Sequence, residues 1–148
     1  MGSGISTKYE KTEGLMAIEK AKGQNNKLAD VKNSMPCYKE AFVDSKKFVE
    51  YSLDTNHPIG KHKALIYKEA LGYDSSNYET LIRQIENYVQ ADASIPNKIE
   101  ITKWGPRFQY NVPVKGLNGL ERLVLTVFQI DSDSCIPRLI TNYVLPQE

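Results

Sequence analysis

From Asn97 to the carboxyl end, hydrophobic positions recur with a period of two. KIEITKW alternates, and RFQYNVPV puts Phe108, Tyr110, Val112 and Val114 on one face with Arg107, Gln109 and Asn111 on the other. KGLNGLE carries a hairpin turn signal, and RLVLTVFQI after it is apolar on both faces, as a central strand must be. DSDSCIP turns the chain again, and RLITNYVL forms the last strand. Four strands in succession predict an antiparallel meander.

Before Asn97 the period is 3.6. Asp44 is placed to N-cap a short helix carrying Phe48, Val49 and Leu53, and Pro58 and Gly60 then force a turn. Ala64, Leu65, Tyr67, Lys68 and Leu71 form a second helical stripe, closed by Gly72. DSSN opens a third helix, in which Tyr78, Leu81, Ile82, Ile85, Tyr88 and Val89 share one face. Helices followed by strands give an α+β fold, with N-terminal helices packed on one face of a four-stranded antiparallel sheet. The other sheet face is left to line a groove.

The first 35 residues read differently. GLMAIEKAKG is a short helical pattern ended by Gly23, and QNNKLADVKNSMP reads as linker. Residues 1–35 are therefore expected to be an N-terminal extension, a delivery segment in one reading, that adds little core. The domain proper is expected at 36–148.

Composition narrows the class. With 148 residues, 41% hydrophobic and 25% charged, the chain is expected to be a single soluble domain whose core needs no disulfide or metal. No apolar run is long enough to span a bilayer, and the first residues lack the apolar stretch of a secretory signal. A net charge of +1 argues against binding nucleic acid by bulk electrostatics. Charge is local instead: Lys61, Lys63 and Lys68 stand against Glu69, and Lys98, Lys103, Arg107 and Lys115 against Glu100. Two such spots suit a site for one anion. Cys37 and Cys135 have no metal-ligand spacing and are expected to be unrelated thiols, a disulfide being the other reading.

Both histidines fall in NHPIGKHKALIYKEALG. His57 precedes Pro58, which holds its backbone extended and its ring at a loop mouth, whereas His62 lies in the first helical turn beside Lys61 and Lys63. HPIGKHKA, then GPRFQYNV, VKGLNGLERLVLTVFQI and PRLITNYV resemble small C-terminal domains of bacterial polymorphic toxins, including those of contact-dependent growth-inhibition proteins. The motifs are HPxGxxKA at a helix start, a strand at GxxxxY and a closing PRxxTxY, and the resemblance runs from Phe48 to Val144.

The resemblance implies a fold of the barnase/EndoU/colicin/RelE group. It implies an antibacterial toxin domain, delivered at the cell surface or secreted as part of a larger exoprotein and acting in the target-cell cytoplasm. Its activity would be a metal-independent ribonuclease without cofactor, cutting transfer RNA near the anticodon. Its partners would be RNA and a cognate immunity protein with an acidic surface over the site, with no stable membrane association.

Metal-independent RNA cleavage needs a base for the 2′-OH proton, an acid for the 5′-oxygen and positive charge on the phosphorane. The matched motif positions His57, Lys63, Arg138, Thr141 and Tyr143, with Arg107, which alternation turns toward the open groove, make the candidate catalytic set, with His57 as proton carrier. Strict alternation separates Arg138 from Thr141 and Tyr143, so either Arg138 precedes the strand or a bulge re-aims it. Lys61, His62, Lys103, Trp104 and Tyr110 are the candidate RNA contacts, the aromatics by stacking on unpaired bases. The competing reading is a non-enzymatic binding module, such as an immunity or adaptor protein. A deoxyribonuclease would need a metal-holding carboxylate cluster that the sequence does not display.

Overall fold

The computed structural model describes residues 32–58 and 60–147. The short helical pattern of GLMAIEKAKG lies outside them. A 3₁₀ turn (Tyr38–Glu40) leads to α1 (Ser45–Lys47), which continues as a π-helical turn, Phe48–Ser52. Two longer helices follow, α2 (Lys61–Leu71) and α3 (Glu79–Val89). The strands are β1 (Lys98–Thr102), β2 (Gly105–Lys115), β3 (Glu121–Gln129) and β4 (Arg138–Val144). They form one antiparallel sheet in the order β1-β2-β3-β4. The α+β layout expected from periodicity is the one observed.

The helices cover one face. Helix α3 packs over β2, and α2 over β4. Phe108, Tyr110, Val112 and Val114 of β2 are fully buried, as are Leu81, Ile85 and Val89 of α3 and Tyr67 and Leu71 of α2. Each large apolar side chain so buried contributes on the order of 1.5–3 kcal/mol. Three tyrosines are fully buried and their hydroxyls find partners, that of Tyr73 donating to the Lys115 carbonyl at 2.8 Å. The Tyr67 hydroxyl donates to Asn142 Oδ1 at 2.7 Å, and the Tyr110 hydroxyl to Asn33 Oδ1 at 2.5 Å. Burial pushes both phenols far above their ordinary pKa, so both remain donors.

The expected boundary at 35/36 needs correction. Asn33 and Met35 are buried, and Asn33 Nδ2 also donates to the Val89 carbonyl at 2.7 Å. The polar residues of the supposed linker close the end of α3, so the domain begins no later than Asn33.

The face of β4 turns on one irregularity. Val127 pairs with Thr141, while the next residue, Phe128, pairs with Leu139. Ile140 is the extra residue of a bulge. The bulge answers the alternation problem: Arg138 lies opposite Gln129, Thr141 opposite Val127 and Tyr143 opposite Leu125, all on the face shared with Arg107, Gln109 and Asn111.

Candidate functional site

The site starts at a helix that changes pitch. Asp44 Oδ1 accepts from the Lys46 N–H at 3.0 Å, the cap the sequence predicts. One turn later the Leu53 N–H reaches the Phe48 carbonyl at 2.7 Å, five residues back. Single π turns of this kind are frequent at functional sites. Here Phe48 and Leu53 anchor the turn in the core, and Tyr51 and Ser52 line a cleft. Ser52 is fully buried, and its hydroxyl has no hydrogen-bond partner. An unsatisfied buried hydroxyl is costly.

The turn after it is built around His57 and Gly60. The Gly60 N–H donates to His57 Nδ1 at 2.9 Å, and the Lys61 N–H to the His57 carbonyl at 3.1 Å. His57 thus caps α2, taking up two backbone donors that the helix start would otherwise leave unmet. A Cβ on residue 60 would stand 2.5 Å from the Tyr51 carbonyl oxygen, so glycine lets the two segments touch. The His57 ring packs on Tyr51, with centroids 4.5 Å apart, and Lys63 Nζ lies 5.4 Å from the same ring.

Between this unit and the β4 bulge lies a cleft of about 220 Å³, lined by Lys47, Tyr51, Ser52, Lys63, Ile140, Thr141 and Asn142. Its lining holds two lysines and no carboxylate. Lys63 is half-buried, and its pKa is lowered, first by burial and then by the charge of Lys47. A wider recess of about 440 Å³ shares Lys47 and Tyr51 and adds Phe42, Asp44, Lys46, Glu50, Arg138 and Leu139. The smaller cleft is cationic, with an unmet donor in its lining, and suits a phosphate-sized anion, whereas the wider recess is mixed, with Asp44 and Glu50 beside its basic residues.

The structure divides the predicted residues. Lys63 and Thr141 line the cleft and Arg138 its neighbour, whereas His57 lines neither and packs on the ring of Tyr51. Arg107 belongs to a chain along the sheet end. Its Nε donates to Gln129 Oε1 at 2.9 Å, Gln129 donates to Asp131, and Arg138 grips Asp131 through Nε at 2.6 Å and Nη2 at 3.2 Å. That grip holds the Asp131 carboxyl below its ordinary range and raises Arg138 further. The Arg138 charge is therefore met within the protein by Asp131. Tyr143 lies two residues beyond Thr141 and does not line the cleft.

Among the expected RNA contacts, Lys61, His62, Lys103 and Trp104 are exposed. Trp104 carries Lys103 Nζ at 4.6 Å and the Arg107 guanidinium at 5.6 Å from its ring. Tyr110 must be corrected. It is fully buried on the helix-covered face, where no base can reach it. Lys47, Tyr51 and Ser52 were not singled out from the sequence. Lys47 and Tyr51, four apart, share a face in any helix, and Ser52, five from Lys47, joins them because the turn is π-wound.

Comparison with known proteins follows from this geometry. Residues 34–146 match the family described as "Domain of unknown function (DUF6883)". The chain belongs to that family. The matched span begins beside Asn33 and ends after β4, so it contains every element of the cleft. Among solved structures, a similar chain occurs in a "Contact-dependent growth inhibition toxin - immunity protein complex from Klebsiella pneumoniae 342". The TM-score is 0.54 at 16% identity, covering 71% of this chain and 93% of that one. At that identity the likeness is one of fold. Comparison with curated proteins gives no match. Among the described residues, no helix is long and apolar enough to cross a membrane.

Proposed function

We propose that the domain is the toxic end of a contact-dependent growth-inhibition system and acts as a metal-independent ribonuclease, with transfer RNA as substrate. The observation that carries the reading is the acid-free cleft holding Lys63, Lys47 and the unpartnered Ser52 hydroxyl. The fold shared with a chain of a toxin–immunity complex supports it, as does the HPxGxxKA motif, whose Lys63 lines the cleft.

The roles are redistributed from the sequence expectation. With Nδ1 accepting from Gly60, neutral His57 carries its proton on Nε2. Full protonation of the ring would break that bond. His57 is therefore a positioning residue that holds the start of α2 and backs the Tyr51 ring, rather than the proton carrier. Lys63, with its lowered pKa, takes the 2′-OH proton in its neutral form. The 2′-oxygen attacks phosphorus and the bond to the 5′-oxygen breaks. The departing oxygen receives a proton from the Lys47 ammonium, leaving a 2′,3′-cyclic phosphate and a 5′-OH. Ser52 and Thr141 hold the phosphorane oxygens. Trp104 with its flanking cations offers a stacking surface beyond the cleft.

Purified protein incubated with total cellular RNA in EDTA should give discrete cleavage. Lys63→Ala should slow it by about a hundredfold or more. Intact RNA, together with normal growth of cells expressing the domain alone, would overturn the ribonuclease reading and favour the immunity or adaptor alternative, to which the near-neutral net charge of +1 is better suited.

A further inference from the structure

Cys37 and Cys135 lie far apart in sequence, yet the fold brings them together. Their Sγ atoms and a Glu40 carboxylate oxygen all lie within 4.8 Å of one another. The segments that bear them are already joined. The Phe42 N–H donates to the Pro137 carbonyl at 3.1 Å, the Leu139 N–H to the Phe42 carbonyl at 3.3 Å, and Phe42 forms a parallel bridge with Arg138. Cys37 is also the one described non-glycine residue with positive φ, at 55°. A cysteine held left-handed is backbone strain that persists because surrounding contacts fix the residue in place.

We propose that Cys37 and Cys135 form an intramolecular disulfide under oxidising conditions. The donor set favours this over a structural metal. A closed zinc site takes four protein ligands, and the described residues supply three here, with Glu40 exposed. With a low-molecular-weight disulfide as oxidant, one protein thiolate attacks it and releases one thiol, giving a mixed disulfide. The second protein thiolate then displaces the other half, so two small thiols form as one protein disulfide does.

The bond would tie the 3₁₀ turn to the loop 131–137, whose ends carry Asp131 and Arg138. It closes a long loop across the whole domain, the case in which a cross-link restricts the unfolded chain most. The inference stands independently of what the cleft binds.

The full chain, which has two cysteines, is incubated with glutathione disulfide, digested and analysed by mass spectrometry. The expected result is a linked Cys37–Cys135 peptide, loss of both titratable thiols and a Tm raised by about 5 °C or more, reversed by dithiothreitol. Cys135→Ser should stop at a single glutathione adduct on Cys37. Two glutathione adducts on an unlinked wild-type chain, two unreacted thiols, or uptake of one zinc ion per chain that protects both thiols would each overturn the proposal.

Discussion

Among the described residues, Ser52 and Lys63 are side chains whose placement works against stability. A buried hydroxyl without a partner forfeits about 1–3 kcal/mol. Ser52→Ala should therefore move the urea midpoint upward, by an amount equivalent to about 1 kcal/mol, while lowering kcat/KM for RNA. A rise in stability with unchanged activity would remove Ser52 from the site. Lys63 titrates lower in the folded chain than its ordinary 10.5. Between its folded pKa and 10.5 the unfolded chain binds more protons, so the folding penalty of this lysine is full below its folded pKa and fades as pH rises toward 10.5. The same lowered pKa makes the neutral amine more available. The RNA cleavage rate should climb with pH up to the Lys63 pKa and level off, and Lys63→Met should abolish that limb while slightly stabilising the fold near neutrality. A pH profile unchanged in Lys63→Met would assign the limb to another group.

At the scale of elements, the site depends on two departures from regularity, a π turn and a β bulge. Gly60 is where the π turn meets α2. Gly60→Ala would drive a Cβ to 2.5 Å from the Tyr51 carbonyl, separating the two segments and the His57 cap with them. It should cost on the order of 1–3 kcal/mol in denaturant unfolding and reduce cleavage as strongly as loss of Lys63. The regular elements were readable because burial imposes a period: Leu81, Ile85 and Val89 mark α3, and the alternation of Phe108 to Val114 marks β2. Neither irregularity has a period. A bulge on β4 was one of two ways to bring Arg138 beside Thr141, but its place at Ile140 is set by pairing with β3. Nothing in FVEYS marks a π turn, so Lys47, Tyr51 and Ser52 passed as ordinary helix surface. Tyr110 was read twice from one sequence, as core by its alternation and as a base-stacker by its aromatic type, and alternation was the better guide. Asn33 and Met35 were misread because hydrogen bonding to a distant strand and helix end leaves no local signal.

For the whole molecule, one sheet face is covered by helices and the other is open, with the two-lysine cleft at the β4 edge. An immunity protein that neutralises such a site should present acidic groups there, and its capture should be steered by charge. Raising salt from 50 to 500 mM should slow association by about tenfold or more while changing dissociation little. Association insensitive to salt would argue for an apolar contact elsewhere. The opposing walls of the cleft come from early and late stretches of the domain, residues 47–63 and 140–142, while the meander between them pairs only neighbours in sequence. A nascent or freshly threaded chain can therefore complete most of its sheet as local hairpins before the two walls meet. The cleft is assembled last, and a chain arrested one strand short of completion holds only one of its two walls.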